Sequence, residues 1–368
     1  MQQTQSRLIK SLDQQIAAAL NPVQGACLMA QRAIALVRHG QLSEARDQLT
    51  TLHQLAFQHP HSSIGAWLHL AEGLMSYFTD FSSAAREKTQ RALAIARTAK
   101  LAEVEALSLA WLAHLAYARH DLPALIGHAQ EGLKVVGAGH HAARSRLSMV
   151  LALAHHYSGR ADLAQAWYAA ARRHATLDGD DATLSALIYN MAEMQTAQAR
   201  HAALADASGR KPELLLGADS VKNFDAAFGG SAMESLTPIL RAQTLVLQGE
   251  FDKARELFEQ HLPVAMSHGL ARLGSSLLAD LAWCRLNCGQ REHALRQAHE
   301  AEVELDPGCE VDDRAATHSR LAQVYEALDE AGKAAWHREA AEREWAEFAA
   351  QKKQWAEALE AAGLVKPA

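Results

Sequence analysis

A leucine-alanine step, or a close variant of it, returns about every forty residues along this chain. The clearest cases are Leu70-Ala71, Leu112-Ala113, Leu151-Ala152, Met191-Ala192, Leu281-Ala282 and Leu321-Ala322, with Arg32-Ala33 and Arg241-Ala242 as variants. The alanines at 33, 71, 113, 152, 192, 242, 282 and 322 are separated by 38, 42, 39, 40, 50, 40 and 40 residues. A sustained period of this length is the signature of one supersecondary unit stacked repeatedly on itself, and nothing else in the sequence constrains the fold as tightly. A second landmark follows each alanine: a short breaker, then an alanine or leucine that opens another helix. Instances are Gly40-Gln41-Leu42 with Ala45, His120-Asp121-Leu122 with Leu125, Gly159-Arg160-Ala161 with Ala164, Gly249-Glu250-Phe251 with Ala254, and Gly289-Gln290-Arg291 with Ala294. Glycine suits the breaker because helices commonly end on a left-handed residue. Each unit therefore reads helix, tight turn, helix. Small side chains let the two helices approach at their crossing, and the remaining apolar faces are buried only by stacking.

Composition agrees. Alanine, leucine, glutamate, glutamine and arginine are helix formers; 8 prolines and 6% aromatics over 368 residues do not suit a sheet protein. The motifs resemble the tetratricopeptide repeat family, with Trp67-Leu68-His69-Leu70-Ala71 and the run from Gly249 to Phe258 matching best. The usual tetratricopeptide period is about 34 residues; the longer one here is similar to the repeats in the sensor region of the maltose-regulon activator (MalT) family. A period near 40 also overlaps HEAT and armadillo repeats, and the Gly-x-x-x-x-Ala step favours the tetratricopeptide type. The expected fold is all-α: an α-solenoid of about eight helix-turn-helix repeats forming a right-handed superhelix.

The same spacing sets boundaries. Residues 1–23 read as an N-terminal capping helix ending at Asn21-Pro22, 24–205 as repeats one to five, and 232–342 as repeats six to eight. The long gap between Ala192 and Ala242 places about ten extra residues within 206–231, either a degenerate second helix with Leu214 to Leu216 in the core or a loop over the groove. Residues 343–368 read as a C-terminal cap, with Trp345, Phe348, Trp355 and Leu359 near one helical face.

The chain carries 36 Lys and Arg against 42 Asp and Glu, a formal net charge of −6. That balance argues against a nucleic-acid partner, which calls for a basic face. The four scattered cysteines form no disulfide framework and suit a reducing compartment. No apolar leader or membrane-length stretch is present, so a cytoplasmic location is expected.

The 20 histidines lack metal-ligand spacing, and the doublets His140-His141 and His155-His156 place no two ligands on one face. Cys284 and Cys288 share a helix face and read as packed thiols. No phosphate-binding glycine loop or nucleophile elbow occurs. Asp178, Asp180 and Asp181 lack the later ligands of a calcium loop and read as a polar turn. No cofactor, metal or catalytic residue is expected.

In the tetratricopeptide family the groove is lined by residues one and four places after the small step. The resemblance thus points to Glu72 and Met75, His114 and Tyr117, Leu153 and His156, Glu193 and Thr196, Gln243 and Val246, Trp283 and Leu286, and Gln323 and Glu326. Of these, His114, Tyr117, His156, Glu193, Trp283, Gln323 and Glu326 are polar or aromatic and are the candidate partner-binding residues. The expected function is a non-catalytic scaffold holding a protein or peptide in that groove, with no nucleic acid or membrane partner. The alternative, implied by the MalT resemblance, is a small-molecule-sensing module.

Overall fold

A computed structural model of the chain describes residues 6–80, 84–205, 236–267 and 273–367. The expected insertion at 206–231 lies outside them. Among the described residues there are sixteen helices and no strand. They divide into two units, one holding residues 6–187 and 355–367, the other 188–205 and 236–354.

The first unit begins with α1 (Arg7–Ala17), which packs on α2 (Pro22–Arg38). Asn21 caps α2, accepting from the Gln24 N–H at 2.9 Å. Four hairpins follow: α2 with α3 (Leu42–Gln58), α4 (Ser62–Asp80) with α5 (Ala84–Ala99), α6 (Ala102–Tyr117) with α7 (Leu122–Val135), and α8 (His141–Tyr157) with α9 (Ala161–Asp178). The first helices α2, α4, α6 and α8 lie side by side, and each second helix also touches the first helix of the next pair.

Helix α10 (Asp181–Ala205) opens in the first unit and ends in the second. The second unit pairs α11 (Thr237–Gln248) with α12 (Phe251–Ala265) and α13 (Gly274–Asn287) with α14 (Arg291–Val303), and α15 (Val311–Ala327) with the start of α16 (Ala331–Ala361). Helix α16 runs unbroken through 342–343, where a separate cap was expected to begin. The reason is local: no glycine or proline occurs between Gly332 and Gly363. Its expected packing face is buried, with Phe348 in the second unit and Trp355 and Leu359 in the first.

The small step does what its spacing suggests. Ala33, Ala71, Ala113, Ala152, Ala192, Ala242, Ala282 and Ala322 are each at most 6% exposed. In most pairs the partner residue on the second helix lies twelve positions later, at Ala45, Leu125, Ala164, Ala254, Ala294 and Ala334, all buried. In the α4–α5 pair the tightest approach falls at Gly73, where a Cβ would sit 2.8 Å from Thr89 Oγ1 and 3.1 Å from the Ala85 carbonyl.

The turns obey one rule. Gly40, Gly159, Gly249 and Gly289 have φ between +75° and +81°, and the next N–H reaches back five residues to a helix carbonyl. Gln41 donates to Leu36 O at 2.9 Å, Arg160 to His155 O at 2.8 Å, Glu250 to Leu245 O at 3.0 Å and Gln290 to Arg285 O at 2.9 Å. His120 and Asp329 hold the same position with φ of 53° and 66°, and their turns carry the same bond. A side chain in this region costs free energy that glycine avoids. Asp329→Gly should therefore stabilise the chain by roughly 1 kcal/mol, because the exposed Arg291–Asp329 pair it removes contributes little. Urea denaturation checks this, and an unchanged or lower midpoint contradicts it.

Candidate functional site

The first helices of the first unit carry a cluster that the repeat pattern gives no reason to expect. Tyr77 on α4 places its hydroxyl 2.9 Å from His114 Nε2 on α6. Trp111, one turn before His114, meets the rings of Tyr77, Phe78 and His114 at centroid distances of 6.1, 5.9 and 5.4 Å. Arg146 on α8 lays its guanidinium carbon 3.9 Å from the Trp111 ring centre. Burial, and then the Arg146 charge, drive His114 down to about 3. Burial, and then Arg38, push Arg146 down to about 9, which leaves it charged at neutral pH.

Of the three aspartates where α9 meets α10, Asp180 and Asp181 have partners that are distant in sequence. Asp180 Oδ2 pairs with Arg38 Nη1 at 2.7 Å and accepts the Thr183 hydroxyl at 2.8 Å. Asp181 Oδ1 pairs with Arg7 Nη2 at 2.7 Å, and the Leu8 N–H donates to Gly179 O at 3.2 Å. These bonds tie α1 and the end of α2 to the turn after the fourth hairpin. Burial works against ionising Asp180, but Arg38 holds it below the usual carboxylate range. Asp178, without such a partner, is pushed up to about 6 by burial and then by Asp180.

Enclosure decides the fate of the groove residues expected here. Helix α8 is buried on nearly every face. His156 is 7% exposed, with Nδ1 3.4 Å from the Tyr168 hydroxyl. His114 is enclosed by Tyr77 and Trp111. Tyr117 meets Trp355 at 6.0 Å, and Trp355, 2% exposed, also meets His120 at 5.6 Å and Tyr157 at 4.8 Å. The same C-terminal segment is fastened by His155 Nε2 to Leu364 O at 2.7 Å and by Gln130 Nε2 to Ala362 O at 2.9 Å. Of these three, His156 is buried, while His114 and Tyr117 are partly buried against their aromatic neighbours.

The second unit holds the other four expected positions. Glu193, Trp283 and Gln323 are partly buried and Glu326 is exposed. Trp283 packs at the edge of two apolar clusters, with Phe251 at 6.4 Å and the Arg320 guanidinium 5.3 Å from its ring. Beneath lies a buried triad. Asp280, fully inaccessible, binds Arg200 Nε through Oδ2 and Arg320 Nε through Oδ1, each at 2.8 Å. Arg320 also donates to Gln323 Oε1 at 2.7 Å. Burial opposes the charge on Asp280, but the two arginines hold its carboxyl low. Glu326 accepts from Arg338 at 3.0 Å. Cys284 is a buried thiol, raised by burial.

No known family model matches the chain, and no curated protein does. Among solved structures, the crystal structure of yeast Tom70 is similar over 96% of this chain and 79% of that one, at 15% identity and a TM-score of 0.40. A likeness that loose carries no functional argument. The class is set by the hairpins themselves: an all-α protein of tetratricopeptide-like repeats. Among the described residues no helix is long and apolar enough to cross a membrane.

Buried neutral histidines give the fold an acid limit. Burial pushes His114 and His201 down to about 3 and His318 to about 4, against an ordinary value of 6.5. The unfolded chain binds these protons first, so the contribution is complete above about pH 6.5 and is lost as pH falls toward 4. Asp178, raised to about 6, acts in the opposite sense but is one group against three. The urea midpoint should fall steadily from pH 6.5 to pH 4; a flat or rising profile contradicts these environments.

Proposed function

We propose that the chain is a non-catalytic scaffold, working in the cytoplasm, that binds a segment of a partner protein on the first-helix face of its second unit. The observation that supports this reading most is Trp283: a large ring left partly exposed, backed by a buried arginine whose position Asp280 fixes. Rigid aromatic side chains held over a preorganised support are the usual anchors of interfaces. Gln323, Glu326 and Glu193 supply hydrogen-bonding groups at neighbouring repeat positions, as an extended or helical segment needs. The proposed surface takes the four groove positions of the second unit; of the three in the first unit, His156 is buried and His114 and Tyr117 are partly buried.

The period near 40 residues supports grouping the chain with long-period repeats of the maltose-regulon activator type. A sensing role of that kind requires a ligand site apart from this face.

The test begins with affinity capture on the wild-type chain from its source cell, followed by binding measurements on the partner obtained. Trp283→Ala should weaken binding by roughly 2 kcal/mol, about thirtyfold. Because the ring is only partly buried, the fold should lose less than the roughly 3–5 kcal/mol of a fully buried tryptophan. A folded Trp283→Ala variant that binds at full affinity overturns the proposal.

A further inference from the structure

Arg146 has no acid. Its side chain is 6% exposed, yet its one hydrogen bond is from Nη1 to Met149 Sδ at 3.4 Å, a weak acceptor. A buried guanidinium without a counter-charge is costly, and proteins normally supply one. The acids of the neighbourhood are committed elsewhere. Asp180 spends both oxygens on Arg38 and Thr183, and Asp181 is taken by Arg7. Asp178 interacts with Asp180 and Arg38. Arg38, half-buried, takes the Asp180 carboxylate, and none of the three aspartates forms an ion pair with the buried Arg146.

A second orphan lies beside it. His114 Nδ1 is buried and has no hydrogen-bond partner among the described residues. In the tautomer where the Tyr77 hydroxyl donates to Nε2, the proton of the neutral ring sits on Nδ1. In that tautomer both unsatisfied groups are donors. They come from neighbouring first helices, and both rest against the Trp111 ring. Donors without acceptors, one of them a charged fork, match an oxyanion.

We propose that the first unit holds a binding site for a small oxyanion, a carboxylate or phosphate group, gripped by the Arg146 guanidinium and the His114 Nδ1–H against the face of Trp111. The site is separate from the partner face around Trp283. The anion would complete the charge of a unit whose opening hairpin is already tied to its closing turn through Arg38 and Asp180.

The experiment is thermal unfolding of the full chain at fixed ionic strength. Chloride is exchanged for acetate, inorganic phosphate, or a short peptide with a free C-terminal carboxylate, with its amidated form as control. Wild type should gain roughly 2–4 °C with at least one of the three oxyanion probes over chloride. Arg146→Met keeps the apolar stem and removes the charge; it should gain nothing, and without ligand should melt no lower than wild type. Preference for phosphate, for acetate, or for the acid over the amide peptide identifies the source of the oxyanion, and each supports the site. Should Arg146→Met fail to fold, the carbon and nitrogen shifts of His114 in histidine-labelled wild type decide: movement on addition of an oxyanion supports the site. No gain in wild type, a gain that survives Arg146→Met, or His114 shifts that ignore every oxyanion overturns it.

Discussion

The close contact between the two helices of each hairpin is the constraint from which the rest follows. A buried alanine on the first helix is followed in most pairs by a buried alanine or leucine on the second, and side chains at a helix crossing must be small for the backbones to approach. That approach presents the flanking leucines to the next hairpin, and stacking buries what one pair cannot bury alone. The left-handed turn residue contributes the other half of the geometry. By reversing the chain within two residues and satisfying the last carbonyls of the first helix, it fixes where the second alanine arrives.

On that frame the two units use their first helices differently. In the first, Arg7 and Arg38 fasten the opening helices to the turn at Asp180 and Asp181, and the segment from Trp355 to Leu364 seals the edge near Tyr117 and Tyr157. On these first helices Arg146 has only a weak acceptor, and His114 Nδ1 has no partner among the described residues. In the second, Asp280 holds Arg200 and Arg320 together, and the Trp283 ring above them is partly buried. Enclosure suits a small charged ligand and access suits a macromolecule.

What was legible in the sequence is whatever repeats. The alanines at 33 to 322 and the glycines at 40, 159, 249 and 289 all occupy the places their spacing assigned. Asp329 escaped notice because its turn has the geometry of the others without their glycine. The buried charges were not legible, since an arginine in an amphipathic pattern reads as surface. Arg146, Arg200 and Arg320 are interior because of residues met only in three dimensions: Trp111 from another hairpin, and Asp280, 80 residues from Arg200. The pairing of Arg38 with an aspartate 142 residues away likewise leaves no local signature.

The role of the small step can be measured directly in the α8–α9 hairpin. Ala152 is fully buried at the crossing, whereas Ala166 on α9 faces solvent. Replacing each by leucine adds the same atoms in the two settings, and urea denaturation compares them. Overpacking at Ala152 should cost about 1–3 kcal/mol, while Ala166→Leu should stay within about 0.5 kcal/mol of wild type. Equal effects at the two positions would contradict the claim that small residues at the crossings hold this array together.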